Sequence, residues 1–151
     1  MTEKINSARF SEEMAKMVPR MLREFTRKQE SILSKGNIAL PHVVILDCLR
    51  EMGSLTMGEL ARILNLTMSA VTVIIDKMVE LGLVKRERSK QDRRIVNVML
   101  LKKGRETAEK VDEARKVMTS EIYSVLSGEE RVEYLRLIRK VYESLGVRDE
   151  K

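Results

Sequence analysis

Apolar residues recur at helical spacing almost from the start of the chain. Between positions 7 and 35, Phe10, Met14, Met17, Val18, Met21, Leu22, Phe25, Ile32 and Leu33 fall mostly at i, i+3 and i+4, which predicts an amphipathic helix. Pro19 lies inside this run. It has no N–H to donate and its ring crowds the preceding turn, so a kink or a division is expected there. Gly36-Asn37 ends the helix, since both residues tolerate the left-handed conformation. Pro41 suits the first position of a second helix. That helix runs to Met52, buries Val44, Ile45, Cys48, Leu49 and Met52, and stops at Gly53.

Two short amphipathic helices come next. Thr56 with Glu59 three residues later matches a capping box, and Leu60, Ala61, Ile63 and Leu64 give the third helix its apolar face. Asn65-Leu66 is the turn. Thr67 caps a fourth helix with Val71, Ile74, Ile75, Met78 and Val79 as its inward stripe, ended by Gly82. The period then changes from about 3.6 to 2, the signature of strands. Residues 83–87 and 94–100 read as two strands, the second with Val96, Val98 and Leu100 on one face. Between them lies the polar loop Arg88-Ser89-Lys90-Gln91-Asp92-Arg93. Such a hairpin is marginal alone and must pack on the helices. Helical spacing returns from 102 to about 126, with Ala108, Val111, Met118, Ile122 and Val125 on one face. Ser127 to Glu130 is a second capping-box match, and a last helix carries Val132, Leu135, Ile138, Tyr142 and Leu145. The tail 148–151 is expected to fray.

The fold class this predicts is mainly α (α+β): a winged helix-turn-helix flanked by N- and C-terminal dimerisation helices. The whole chain, 1–151, forms one domain, with a DNA-binding lobe at 38–103 and dimerisation helices at 7–35 and 104–146.

Charge sharpens the picture. The formal net charge is +6, and it is unevenly spread. Residues 55–104 hold 10 Lys/Arg against 5 Asp/Glu, whereas 105–151 hold 10 against 11. Within 85–94 alone there are six basic and two acidic residues. That concentration is the footprint of a polyanionic partner. No apolar run reaches the length of about 18 residues that a membrane span needs. A single cysteine makes no internal disulfide, and with no apolar leader at the N-terminus the default address is cytoplasmic.

Two helices joined by a tight turn place the second in the DNA major groove while the first crosses the backbone. The residues near the start of the second helix are Thr67, Met68, Ser69, Ala70, Thr72 and Val73. Ser69 and Thr72 can hydrogen-bond bases or phosphates, and Ala70 can touch a thymine methyl. No Arg, Asn or Gln precedes Lys77 on this face. The bidentate contacts that discriminate bases best, each worth roughly 1–3 kcal/mol, are therefore missing from the helix. The hairpin supplies the charge: Arg86, Arg88, Lys90, Arg93 and Arg94 can line phosphates, or one at the tip can enter the minor groove. Asp92 is expected to pair with a neighbouring arginine and hold the loop in shape.

These residues resemble the MarR family of transcriptional regulators. The resemblance rests on Leu60-Ala61 before the turn, on Thr67, Val71-Thr72 and Asp76-Lys77 in the second helix, and on Leu81-Gly82-Leu83-Val84 with Arg86 entering the hairpin. Asp92-Arg93-Arg94, the alternating Val96, Val98 and Leu100, and Gly104 complete it. It implies a homodimer whose first and last two helices intertwine, each subunit meeting half of a pseudo-palindromic site in double-stranded DNA. It places DNA contacts on Thr67, Ser69, Ala70, Thr72 and Lys77 of the helix and on Arg86, Arg93 and Arg94 of the wing, to which the charge argument adds Arg88. It also implies a repressor released by a small aromatic or phenolic acid. This sequence departs from the family at Val73, where many members carry arginine, and at Leu101, where a threonine commonly caps the next helix.

The remaining candidates have plainer readings. Cys48 sits in an apolar stripe and reads as a structural core thiol. His42, the single histidine, has no partners at metal-ligand spacing, so no metal or cofactor is expected. The ten methionines read mainly as core. Arg20 and Arg23 are solvated surface charges unless a carboxylate ligand recruits them. No nucleophile-base arrangement or phosphate-binding glycine loop marks an enzyme. The competing function is a winged helix that serves as an architectural or protein-interaction module with little sequence preference.

Overall fold

The computed structural model describes residues 5–33 and 37–146, without the Ile32 side chain. Lys35 and Gly36 at the expected end of the first helix, and the tail 148–151, lie outside the described residues. The chain forms two compact units, Met1–Ala114 and Arg115–Lys151.

The first unit opens with α1 (Ser7–Leu33), which contains Pro19 and is continuous through it. The expected division does not occur. Residues 7–24 are all exposed, so water can satisfy the Ala15 carbonyl that Pro19 cannot serve, and no buried group is orphaned. Asn37 takes a left-handed φ of 55° before the next helix. In α2 (Leu40–Met52), Pro41 occupies the first turn and Gly53, at φ 76°, ends the helix. The buried face is His42, Val43, Ile45, Leu46 and Leu49. Met52, expected inside, is 51% exposed, and Val44 and Cys48 are half-buried.

Two more helices and three strands make the lobe compact. The capping box at Thr56 opens α3 (Met57–Leu64): Thr56 Oγ1 accepts the Glu59 N–H at 3.2 Å, and Glu59 accepts the Thr56 N–H at 2.7 Å. The Thr56 N–H, and then the Thr56 hydroxyl, which donates to the same carboxylate oxygen at 2.8 Å, hold the Glu59 carboxyl below its ordinary pKa. Asn65, left-handed at φ 51°, turns the chain into α4 (Met68–Glu80), and the axes of α3 and α4 differ by 108°. The hairpin is β2 (Val84–Arg88) with β3 (Val96–Leu100), antiparallel, pairing Val84 with Leu100 and Arg86 with Val98. A strand that the pattern did not reveal, β1 (Ser54–Thr56), pairs with the other edge of β3 through Leu55 and Val98. The sheet order is β1-β3-β2. Leu46, Leu49, Leu60, Val71, Ile75, Met78, Val84 and Val98 meet in one core between this sheet and the helices.

The next helix, α5 (Lys102–Ile122), begins in the first unit. In the second unit it passes through a 3-10 turn at Tyr123–Val125 into α6 (Gly128–Ser144). Ser127 caps α6: its Oγ accepts the Glu130 N–H at 3.2 Å, and its own N–H donates to Glu130 at 2.8 Å. Tyr123 and Tyr134 join hydroxyls at 3.1 Å. Burial, with the Tyr134 hydroxyl second, pushes the Tyr123 phenol up to about 12. The stripe expected on α6 is present but uncovered: Val132, Leu135, Ile138, Tyr142 and Leu145 are 40–71% exposed. On α1, Phe10, Met14, Met17, Met21 and Leu22 are likewise exposed. Among the described residues no single helix is long and apolar enough to cross a membrane.

Candidate nucleic-acid interface

The core fixes α4 from behind. Val71, Ile75 and Met78 are fully buried, so the opposite face must point outward. Thr67, Met68, Ser69, Thr72, Val73, Asp76 and Lys77 are exposed there, and Ala70 is half-buried. The helix start is built by Thr67, whose Oγ1 accepts the Ala70 N–H at 3.2 Å, leaving its O–H proton available outward. Thr72 spends its proton on the Met68 carbonyl at 2.8 Å and keeps lone pairs for a donor. Ser69, among the described residues, has no intramolecular partner for its hydroxyl. Lys77 pairs loosely with Glu80 at 3.2 Å, both side chains being more than half exposed. Val73, 69% exposed at the centre of the face, offers only apolar contact.

The wing tip is a folded loop. Ser89 N–H donates to the Ile95 carbonyl at 2.9 Å, and Ile95 N–H to the Asp92 carbonyl at 2.9 Å. Asp92 accepts the Arg94 N–H at 3.0 Å and both guanidinium arms at 3.2 Å. The expected pairing of Asp92 with a neighbouring arginine is therefore present. The Arg94 side chain, then its backbone N–H, holds the Asp92 carboxyl below its ordinary pKa. Arg94 still projects, with 91% of its side chain exposed. Arg88 and Arg93 have no carboxylate partner among the described residues and, with Ser89 and with Lys90, whose charge acts on the Glu87 carboxylate, line one shallow cavity of about 340 Å³. Three cations around one concavity attract an anion. Between wing and helix, Met68 and Arg94 share a second groove of about 370 Å³ with Thr56, Met57, Gly58, Ile95 and Val96.

Arg86 behaves differently. Expected on the DNA side with the other arginines, it reaches α4, where it pairs with the Asp76 carboxylate and donates from Nη2 to the Thr72 carbonyl at 3.2 Å. Asp76 is a partner of Arg86 that reading the charge pattern missed. The signal available was an acid on the outer face of a helix otherwise suited to phosphate.

The base of the wing is locked to α5. Leu101 N–H donates to the Leu83 carbonyl at 2.9 Å, and Lys103 Nζ to the Leu81 carbonyl at 2.7 Å. Gly104 makes this approach possible: a Cβ there would stand 2.1 Å from the Leu83 oxygen.

Other singled-out residues lie apart from this surface. His42 is 9% exposed, and its Nδ1 accepts the Ala39 N–H at 2.9 Å in place of a capping side chain. Burial, and then the charge of Lys77, lowers its pKa. Among the described residues no group of three His, Cys, Asp or Glu is placed to hold a metal. The methionines divide: Met78 and Met118 are buried, whereas Met14, Met17, Met21, Met52 and Met68 are 40–53% exposed.

Comparison with known proteins gives one consistent result. The model of the MarR family matches residues 38–96. An uncharacterized HTH-type transcriptional regulator of Bacillus subtilis, YsmB, is 33% identical over 69% of this chain and 71% of its own. The HTH-type transcriptional repressor MdtR of the same organism is 27% identical over 72% of this chain and 70% of its own. The structure of a MarR family protein from Bacillus stearothermophilus superposes with a TM-score of 0.84, at 30% identity, covering 94% of this chain and 99% of that one.

Proposed function

The chain belongs to the MarR family, and we propose that this DNA-binding transcriptional regulator works as a homodimeric repressor. Each subunit would meet one half of a pseudo-palindromic site in double-stranded DNA, the two halves about 34–36 Å apart. The observation that carries this reading is the outward face of α4 sharing a groove with the base of a cationic wing tip. Thr67, Ser69, Ala70 and Thr72 would approach base edges and the first phosphates. Lys77 would contact the backbone, and Arg88, Arg93 and Arg94 would follow phosphates or the minor groove. YsmB and MdtR are regulators rather than enzymes, which supports the same reading. The uncovered apolar faces of α1 and of α6 support a second copy as partner, and a cytoplasmic location follows from a function on DNA. A small aromatic or phenolic acid is the effector class proposed to release DNA.

The test is binding to duplexes selected from a random pool, titrated with salt. Affinity should fall steeply and linearly on a log–log scale as counterions are released. Undetectable binding at low salt would refute the function. A second reading has one observation in its favour: α4 carries no Arg, Asn or Gln. If the ratio of selected to competitor affinity is near unity, the protein is an architectural binder rather than a specific repressor.

A further inference from the structure

Arg86 sits on the middle of β2, its backbone paired with the fully buried Val98 of the central strand. Side chains alternate along a strand, so Arg86 lies on the same face as Val84, which enters the core. That direction carries its guanidinium along the flank of α4 rather than outward. There it spans one helical turn, bonding the Asp76 carboxylate with one arm and the Thr72 carbonyl with the other. A guanidinium is planar with donors in a fixed fork, so two such bonds set its orientation as well as its position. Only 32% of the side chain is exposed, against 91% for Arg94. Asp76, by contrast, is 53% exposed on the outer face of α4.

From this geometry we propose that Arg86 is a positioning residue of the DNA interface and touches no phosphate. It has two tasks. It ties the wing to α4, so that helix and wing present their DNA-facing groups at a fixed separation. It also neutralises Asp76, which would otherwise set a bare carboxylate among the phosphate-facing groups of α4. The inference rests on the DNA-binding function, and the consequences of the two are separable. A residue that neutralises a phosphate releases counterions, so removing it lowers the salt slope by ~0.9. A positioning residue releases none, so removing it lowers affinity at every salt concentration with the slope unchanged.

The experiment is a double-mutant cycle on the full-length protein with Arg86→Gln, Asp76→Asn and the double variant. Binding is measured across salt on the duplex that the wild type selects. The expected result is a loss of about tenfold or more for Arg86→Gln, an unchanged salt slope, and a double variant that binds several-fold better than Arg86→Gln, since the bare carboxylate is gone. A slope reduced by ~0.9 in Arg86→Gln, with additive single effects, would overturn the proposal. Arg86→Lys is the second variant, for use if Arg86→Gln does not fold. It keeps the charge but cannot reproduce the two-armed bond, so affinity should still fall; near-wild-type binding would mean that a point charge suffices and would also overturn the proposal. Thermal unfolding of the same four proteins without DNA gives an independent reading. The wing–helix tie requires non-additive stabilities there, whether or not DNA binding is detected, and additivity would refute it.

Discussion

Replacing Gly104 by alanine tests how the wing is anchored, because two physical effects predict opposite signs. Intrinsic helix preference alone says that alanine in α5 should stabilise, by about 1 kcal/mol. The packing says otherwise. The new Cβ would lie 2.1 Å from the Leu83 oxygen, 3.0 Å from the Leu83 carbonyl carbon and 3.1 Å from Leu100 Cδ2. The first two are backbone atoms, so no side-chain rotation relieves the clash. The first turn of α5 must move off the α4–β2 turn. That movement strains the Leu101-to-Leu83 hydrogen bond of 2.9 Å and the Lys103-to-Leu81 bond of 2.7 Å. Overpacking of this kind costs roughly 1–3 kcal/mol, and a weakened hydrogen bond adds about 1 kcal/mol. Net of the helix preference, the expected loss is about 2 kcal/mol. For a chain of this size that corresponds to a fall in Tm of about 4–8 °C at fixed protein concentration. Gly58→Ala is the internal control. It too lies in a helix, but a Cβ there meets nothing within 4 Å, so alanine should raise Tm by about 2–4 °C. If Gly104→Ala melts at or above the wild type, the close approach does not hold the wing and the reasoning fails.

Other expectations follow from the same surfaces. Arg93→Ala with Arg94→Ala should leave the melting profile nearly unchanged while lowering the salt slope of DNA binding by roughly 0.9 for each phosphate no longer neutralised; an unaltered slope would remove both from the interface. Lowering pH should destabilise the fold through His42. Its folded pKa lies below the ordinary value near 6.5, so the stabilisation is complete above that value and is lost as pH falls towards the lowered one. His42→Gln keeps an acceptor for the Ala39 N–H without titrating, so its stability should vary less with pH over this window, and an unchanged profile would exonerate the histidine. Truncation after Ser127 should abolish dimers in light scattering, because it removes the exposed apolar stripe of α6; a stable dimer of the truncated chain would place the interface elsewhere.

The fold was legible where the chain repeats a period long enough to count. The α3–turn–α4 pair and the hairpin appear in the sequence because the spacing switches from about 3.6 to 2 at Gly82, with capping residues at Thr56 and Thr67. Strand β1 was not legible, since three residues carry no period and Leu55 finds its place only by pairing with Val98, more than forty positions away. Pro19 does not divide α1, for a related reason. Its cost depends on whether the freed carbonyl is dry, and the sequence does not show that residues 7–24 are exposed within the subunit. The candidate site divides in the same way. Six cations within ten residues announce a polyanion partner, but counting charges treats Arg86, Arg88, Arg93 and Arg94 alike. What separates them is direction. Among the described residues Arg88 and Arg93 have no carboxylate partner, Arg94 is held by an acid two residues away and still projects, and Arg86 is held by an acid ten residues earlier on another element. Only the fold brings Asp76 to Arg86, so an arginine in a basic run cannot be assigned to phosphate until every carboxylate within reach of its guanidinium has been placed.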